Sequence, residues 1–362
     1  MPSANPLTIV GGGLAGLALA AAAARSGATV TLCEAGLLPR PRVCGEFISG
    51  LKPDVINKLG LAPHLRDAVV NRTTGWHAGG NLRWAADLPE PALGLSRPVL
   101  EERLLDDFTT AGGELRLNTR IPPPTGSNNP PGIIWSAGRR ADATSPWIGL
   151  KIHCRNLHLR HDLEVHFSVG GYVGATRIEG GRVNVCGLFR VQPELRGPKE
   201  ALLLSYLTAC RLKSFAERFA NGDPDPASVA AVSGLDFTRT WREPHRLSLG
   251  DHFGAIPPYT GHGMALALEN AAAALDPLLA YSCGDLAWNE AVRTIRRAVA
   301  AQQSARLRYA RWLHPFLLQP AGQKILLTLA DRHLLPFQFF YRLTHGGAAF
   351  DTKTSPAALA AR

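Results

Sequence analysis

Gly11, Gly13 and Gly16 stand in the spacing GxGxxG, and Glu34 follows 18 residues after the last of them. Glycines at these intervals suit a turn that wraps a pyrophosphate. The first lets the chain reverse sharply, the second lets a phosphate approach the backbone, and the third lets a helix pack close on a strand. A carboxylate at that distance accepts hydrogen bonds from the hydroxyls of an adenosine ribose. A helix starting in the turn adds unpaired N–H groups. Leu14 and Ala15 therefore join the glycines as candidate phosphate contacts, and Ala35 joins Glu34 beside the ribose.

These residues need a scaffold, and the flanking chain predicts one. Leu7–Val10 is a short apolar run rich in β-branched residues, suited to a buried parallel strand. Leu17 to Ser26, almost all alanine and leucine, reads as a buried helix that Gly27 ends, and Ala28–Cys33 reads as a second strand running into Glu34. A lone glycine motif is weak evidence. Strand, turn, helix, strand and acid in this order point to a dinucleotide site. The acid disfavours NADP there but does not separate NAD from FAD.

A distant segment separates them. Leu247–Leu249 reads as a strand ending on Gly250-Asp251, followed by a proline-bearing loop with Pro258, Gly261, Gly263 and Met264, then a helix to about Leu279. This resembles the second FAD fingerprint of the para-hydroxybenzoate hydroxylase-like superfamily, a GD pair followed by P-x-x-G-x-G. The resemblance implies that Asp251 holds a ribityl hydroxyl and that Pro258, Gly261, Gly263 and Met264 frame the isoalloxazine. The helix would aim its N-terminus at the ring edge where negative charge develops on reduction. It also implies that Arg97, before a helix, lies near the FAD phosphates, and that the strand Gly132–Ser136 with Ala137-Gly138 closes the site. Aromatic hydroxylases carry Asp-Gly at that last position in connection with NAD(P)H. Ala137-Gly138 departs from this.

The segment Pro41–Ser49 is similar to one in geranylgeranyl reductase-like flavoproteins, as are His166-Phe167, Gly170–Gly174 and Arg182–Leu188, which read as short strands turning at Glu179–Gly181. In that branch Arg42 would reach the adenosine or phosphates, while Cys44-Gly45-Glu46 would approach the ring. Cys44 is then a candidate thiol donor or redox partner, Glu46 a candidate acid, and His262, at the helix start, a candidate group over the ring. Each has a plain structural alternative that stays open. Halogenases of this fold carry a WxWxIP motif, which none of the seven tryptophans forms.

The implied architecture is α/β. A Rossmann-like FAD-binding domain (1–74, 97–146, 237–290) is interleaved with a β-sheet substrate domain (75–96, 147–236), and a helical region (291–362) ends the chain. Ala201–Phe219 reads as one helix within the substrate domain. The composition, 46% hydrophobic and 19% charged over 362 residues, is that of a folded protein with a large core. Six scattered cysteines without a CxxC pair or a ligand-like spacing to histidine argue against a disulfide framework or a metal site, and fit a reducing cytoplasm. The apolar stretch Leu14–Ala24 lacks the basic flank of a signal peptide. The net charge of +10 is dispersed, without a nucleic-acid module.

The expected function is that of an oxidoreductase with non-covalent FAD: an NAD(P)H-linked monooxygenase acting on a small or lipophilic natural-product intermediate. The alternatives are a reductase of carbon–carbon double bonds in an isoprenoid or polyene, and a non-catalytic flavin-binding protein. The basic, aromatic tail from Ala291 to Tyr341 suits helices that wall an apolar tunnel or touch a membrane surface.

Overall fold

The computed structural model describes residues 5–123, 130–139, 141–237 and 246–345. Arg140, Trp241, most of the loop between Pro122 and Pro131, and the chain beyond His345 lie outside the described residues.

Two sheets organise the chain. The first is parallel and five-stranded, in the order Leu247–Ser248, Ile133–Trp135, Leu7–Val10, Val30–Cys33, Glu114–Arg116. Its central strands are buried on both sides, which is why they are written in β-branched and aliphatic residues. The helix Leu14–Arg25 crosses between the first two strands and buries every residue but Arg25. Its alanines bring the helix axis close to the sheet and to the helix Gly263–Cys283, which packs on it. The helix starts at Leu14, earlier than the alanine run alone suggests, because the last residues of the glycine turn form its first turn.

The second sheet has eight strands, ordered Pro224–Ser233, Trp147–Cys154, Val183–Arg190, Gly171–Arg177, Leu163–Ser168, Val69–Ala78, Asn81–Gly94, Phe47–Ile48. All neighbours are antiparallel except Val69–Ala78 beside Leu163–Ser168. The sheet thus begins at Val69 and takes its edge strand from the segment after Glu34. Helices Lys199–Ala209 and Lys213–Ala220 cover its outer face through Val173, Val185, Phe189, Phe215 and Phe219. The sequence suggests one helix here. The chain instead breaks around Arg211, whose φ of +60° no helix accommodates.

Three further helices, Trp288–Leu318, Pro320–Asp331 and Phe337–His345, close the other face. Phe337 packs edge-on to Trp76 and Trp84, with centroids 6.0 and 4.9 Å away. Tyr341 and His345 both hydrogen-bond the Ser49 hydroxyl, at 2.8 and 3.0 Å. The end of the described chain is therefore latched to the segment that follows the first parallel unit. No described helix is long and apolar enough to cross a membrane.

Candidate active site

A cavity of about 890 Å³ runs from the glycine turn to the inner face of the second sheet. At its polar end, Gly11 has φ +107°, and a Cβ there would lie 2.5 Å from the Ala137 Cα. A Cβ on Gly16 would overlap the Gly11 carbonyl oxygen and the Ser136 hydroxyl, which itself donates to Gly11 O at 2.6 Å. These two glycines set how closely turn, helix and third strand meet. Gly13 differs: a Cβ would find nothing nearer than the Ser136 oxygen at 3.7 Å, so its backbone faces open cavity.

Glu34 is buried at the end of the second strand, where its carboxylate accepts the Gly12 N–H at 2.8 Å and the Gly36 N–H at 3.2 Å. Arg42 stands 3.9 Å from Glu34 and 3.3 Å from Glu101, which also accepts from the Arg97 guanidinium. Arg42 Nε and Nη2 are buried without a hydrogen bond. Both atoms nevertheless face carboxylates, Nε that of Glu101 and Nη2 that of Glu34, and the guanidinium lines this end of the cavity.

The Gly250-Asp251 turn closes the opposite wall. Gly250 N–H donates to Asn270 Oδ1 at 2.9 Å, and Gln303 Nε2 donates to the same oxygen at 2.8 Å. The turn is therefore tied both to the helix it precedes and to the long helix Trp288–Leu318. Asp251 remains nearly half exposed, 3.8 Å from Arg139. Pro258, Gly261, Gly263 and Met264 follow along the wall, so the helix Gly263–Cys283 presents its N-terminus to the cavity. Of the residues that sequence reasoning assigned to the cofactor, all but Gly16 line this one cavity: Gly11, Gly13, Leu14, Ala15, Glu34, Ala35, Arg42, Arg97, Ala137, Gly138, Gly250, Asp251, Pro258, Gly261, Gly263 and Met264. Gly16 lies behind them as a packing residue.

The three catalytic candidates part company. Cys44 is on the cavity wall; burial pushes its thiol up while the nearby Arg97 opposes this, so it stays protonated near neutral pH. Glu46 is fully buried and off the wall. Its carboxylate binds Lys151 Nζ at 3.1 Å, His153 Nε2 at 2.5 Å and the Arg97 N–H at 3.0 Å. Burial pushes its pKa up, yet these partners outweigh burial and hold it below the ordinary value. A carboxylate so engaged is an ion-pair anchor, not a free acid beside a ring. His262 also turns away from the cavity: its Nε2 accepts from Arg306 at 2.9 Å, and Arg306 pairs with Glu269 at 2.6 Å. Burial and the adjacent His345 and Arg306 push His262 well down, so it is neutral.

Beyond the polar end the cavity becomes an apolar chamber. Trp76, Phe167, Tyr172, Leu188, Leu235 and Phe237 form one wall; Leu313, Leu317, Phe337, Phe340 and Tyr341 form the other. The Tyr172 hydroxyl is buried there without a well-formed hydrogen bond, the Tyr259 backbone being the polar group beside it. Sequence reasoning missed Lys151, His153, Asn270, Gln303 and Tyr172. Only Asn270 left a signal, since Glu269 and Asn270 interrupt an otherwise apolar run from Met264 to Leu275.

Residues 9–55 match the NAD(P)-binding Rossmann-like domain. A menaquinone reductase of Mycolicibacterium smegmatis is 28% identical over 119 residues, 32% of this chain and 29% of that protein, so the match spans under a third of the relative's length. Solved structures align over nearly the whole chain. Klebsiella pneumoniae HpxO, complexed with FAD and uric acid, has a TM-score of 0.71 at 14% identity, covering 94% of this chain and 96% of that one. Pseudomonas putida DLL-E4 p-nitrophenol 4-monooxygenase PnpA gives 0.67 at 14%, covering 96% and 100%. Pseudomonas aeruginosa PqsL, in complex with 2-aminobenzoylacetate, gives 0.65 at 17%, covering 93% and 98%. The Rossmann-like unit, the curled second sheet and the helical C-terminal region together give this chain the α/β fold of flavin monooxygenase structures.

Proposed function

We propose that the chain is an FAD-dependent oxidoreductase, and within that class a monooxygenase that modifies a small, apolar molecule with electrons from NAD(P)H. One observation carries the reading: the cavity joins a phosphate-type glycine turn, through a helix N-terminus, to an apolar chamber. The fold it shares with PnpA, PqsL and HpxO supports oxygenation. The residues present suit FAD, since Gly13 leaves its backbone open and the Arg42 guanidinium lines the same polar end of the cavity. When bound, FAD supplies two-electron chemistry.

The protein's own groups then have separate tasks. The Gly11–Gly16 turn and the helix Leu14–Arg25 receive the pyrophosphate, Glu34 the ribose, Arg42 and Arg97 the phosphate charge, and Asp251 the ribityl chain. The N-terminus of Gly263–Cys283 places partial positive charge where the ring gains electrons. The aromatic chamber limits access of water, and Cys44 is a thiol on its flavin side. The Pro41–Ser49 segment keeps the geranylgeranyl reductase-like branch as our reading of ancestry. A lipophilic substrate fits the chamber, and exposed Trp312, Ile325, Leu334 and Phe339 on the tail fit contact with a membrane surface.

Reduction of a carbon–carbon double bond in an isoprenoid or polyene is the second reading; the menaquinone reductase relative favours reductive chemistry in general. Kinetics distinguish the two. The holoprotein, reduced anaerobically and mixed with oxygen in a stopped-flow cell, is expected to reoxidise in two resolved phases. A single oxygen-dependent phase would turn the assignment toward reduction. Once a substrate is in hand, Tyr172→Phe is expected to raise KM about three- to tenfold, the worth of one neutral hydrogen bond, with little change in flavin content. An unaltered KM would remove Tyr172 from substrate positioning.

A further inference from the structure

The outer face of the second sheet carries a cluster that the proposed redox chemistry leaves unused. Alternation along Val69–Ala78 turns Thr74 and Trp76 to the cavity, and Gly75 and His77 to the opposite face. In the parallel neighbour, Leu163, Val165 and Phe167 face the cavity, while Glu164 and His166 face outward. The register sets Gly75 beside Glu164 and His77 beside His166. His161, just before that strand, lays its ring over Gly75: a Cβ there would overlap His161 Nδ1 and lie 2.9 Å from its Cγ. The missing side chain at position 75 is what lets His161 reach the cluster.

One ligand atom each from His77, His161 and Glu164 lies within 4.8 Å of the other two. His77 is 5% exposed, and both His77 Nε2 and His161 Nδ1 are buried without a hydrogen-bond partner. Two orphaned imidazole nitrogens converging near a carboxylate are costly unless a ligand sits among them. Arg218 and His166, each 3.0 Å from Glu164 Oε2, orient the carboxylate as outer partners do at metal centres.

We propose that His77, His161 and Glu164 bind one divalent cation of the zinc type, at a site on the outer face of the second sheet, separate from the cavity. Two imidazoles and a carboxylate are a donor set that zinc accepts in tetrahedral geometry, with water in the fourth position. The ion would clip the loop before Leu163 to the parallel strand pair.

The test uses tag-free, flavin-loaded protein, stripped with chelator and titrated with Zn²⁺ against a chromogenic competitor. The expected result is one Zn²⁺ per chain and a rise in Tm of about 3 °C or more at saturation. His77→Ala and His161→Ala are each expected to weaken binding at least ~10-fold, with the flavin spectrum unchanged. His161 is only partly buried, so its variant serves even where His77→Ala folds poorly. Gly75→Ala, which crowds His161 while keeping all three ligands, is expected to weaken binding as well. Failure to bind Zn²⁺ stoichiometrically, or equal affinity in His161→Ala, would overturn the proposal.

Discussion

Gly13→Glu is expected to yield a folded protein that purifies without flavin. The backbone at Gly13 meets no atom that a Cβ would strike, the nearest being 3.7 Å away, so the fold tolerates a side chain. That side chain must enter the cavity, however, where it brings volume and negative charge to the place proposed for a pyrophosphate. Like charges in contact cost several kcal/mol. About 4 kcal/mol corresponds to roughly a thousandfold loss of affinity. The flavin-to-protein absorbance ratio should fall to background, while far-ultraviolet circular dichroism and the melting curve of the apoprotein stay those of the parent. Gly16→Val provides the contrast, because its side chain strikes Gly11 O and Ser136 Oγ and should harm folding and binding together. A yellow Gly13→Glu protein would sink the placement of the phosphates.

Glu46→Ala should act on stability alone. Lys151 has no exposed side-chain surface and pairs with Glu46 at 3.1 Å, so removing the carboxylate leaves a buried ammonium unneutralised. Breaking such a pair from one side costs about 3–5 kcal/mol. Denaturant unfolding of the apoprotein measures it. Replacing both partners, in Glu46→Gln with Lys151→Met, should cost less than Glu46→Ala, because no buried charge is stranded. Acid should mimic the deletion. The folded-state pKa of Glu46 is lowered, so its stabilisation is present above the ordinary carboxylate value of 4.5 and is lost as pH falls through the lower folded value. A Glu46→Ala protein within 1 kcal/mol of the parent would show that the anchor is not needed.

Much of this was legible in the sequence, for a physical reason. A phosphate turn needs glycine at particular backbone positions, and a buried parallel strand needs apolar residues throughout. Gly11, Gly13, Gly16 and Gly250-Asp251 therefore declare themselves even 240 residues apart. What stayed hidden depends on which way a side chain points. Cys44 and Glu46 are two residues apart, yet one lines the cavity and the other sits beneath it, because Glu46 takes a φ of +51° and turns into the pair with Lys151 and His153. Those partners lie more than a hundred residues downstream, on a strand that only the tertiary fold brings near. His262 precedes its helix as expected, but Arg306 from the long helix draws its ring away from the chamber. Likewise His77 has no ligand spacing to His161 and Glu164, since the parallel register, not sequence distance, sets it beside them.

That register has a consequence for how the sequence can drift. Val69–Ala78 and Leu163–Ser168 show chamber residues on one face and the histidine–glutamate cluster on the other. Inserting or deleting one residue in either strand would exchange the faces, putting charged side chains against the chamber and Trp76 or Phe167 outside. Substitutions can retune either face independently, residue by residue. Changes of length cannot. Variation in length among descendants of this chain should therefore collect in the connecting loops, with these two strands keeping a fixed count while the chamber wall explores new substrates.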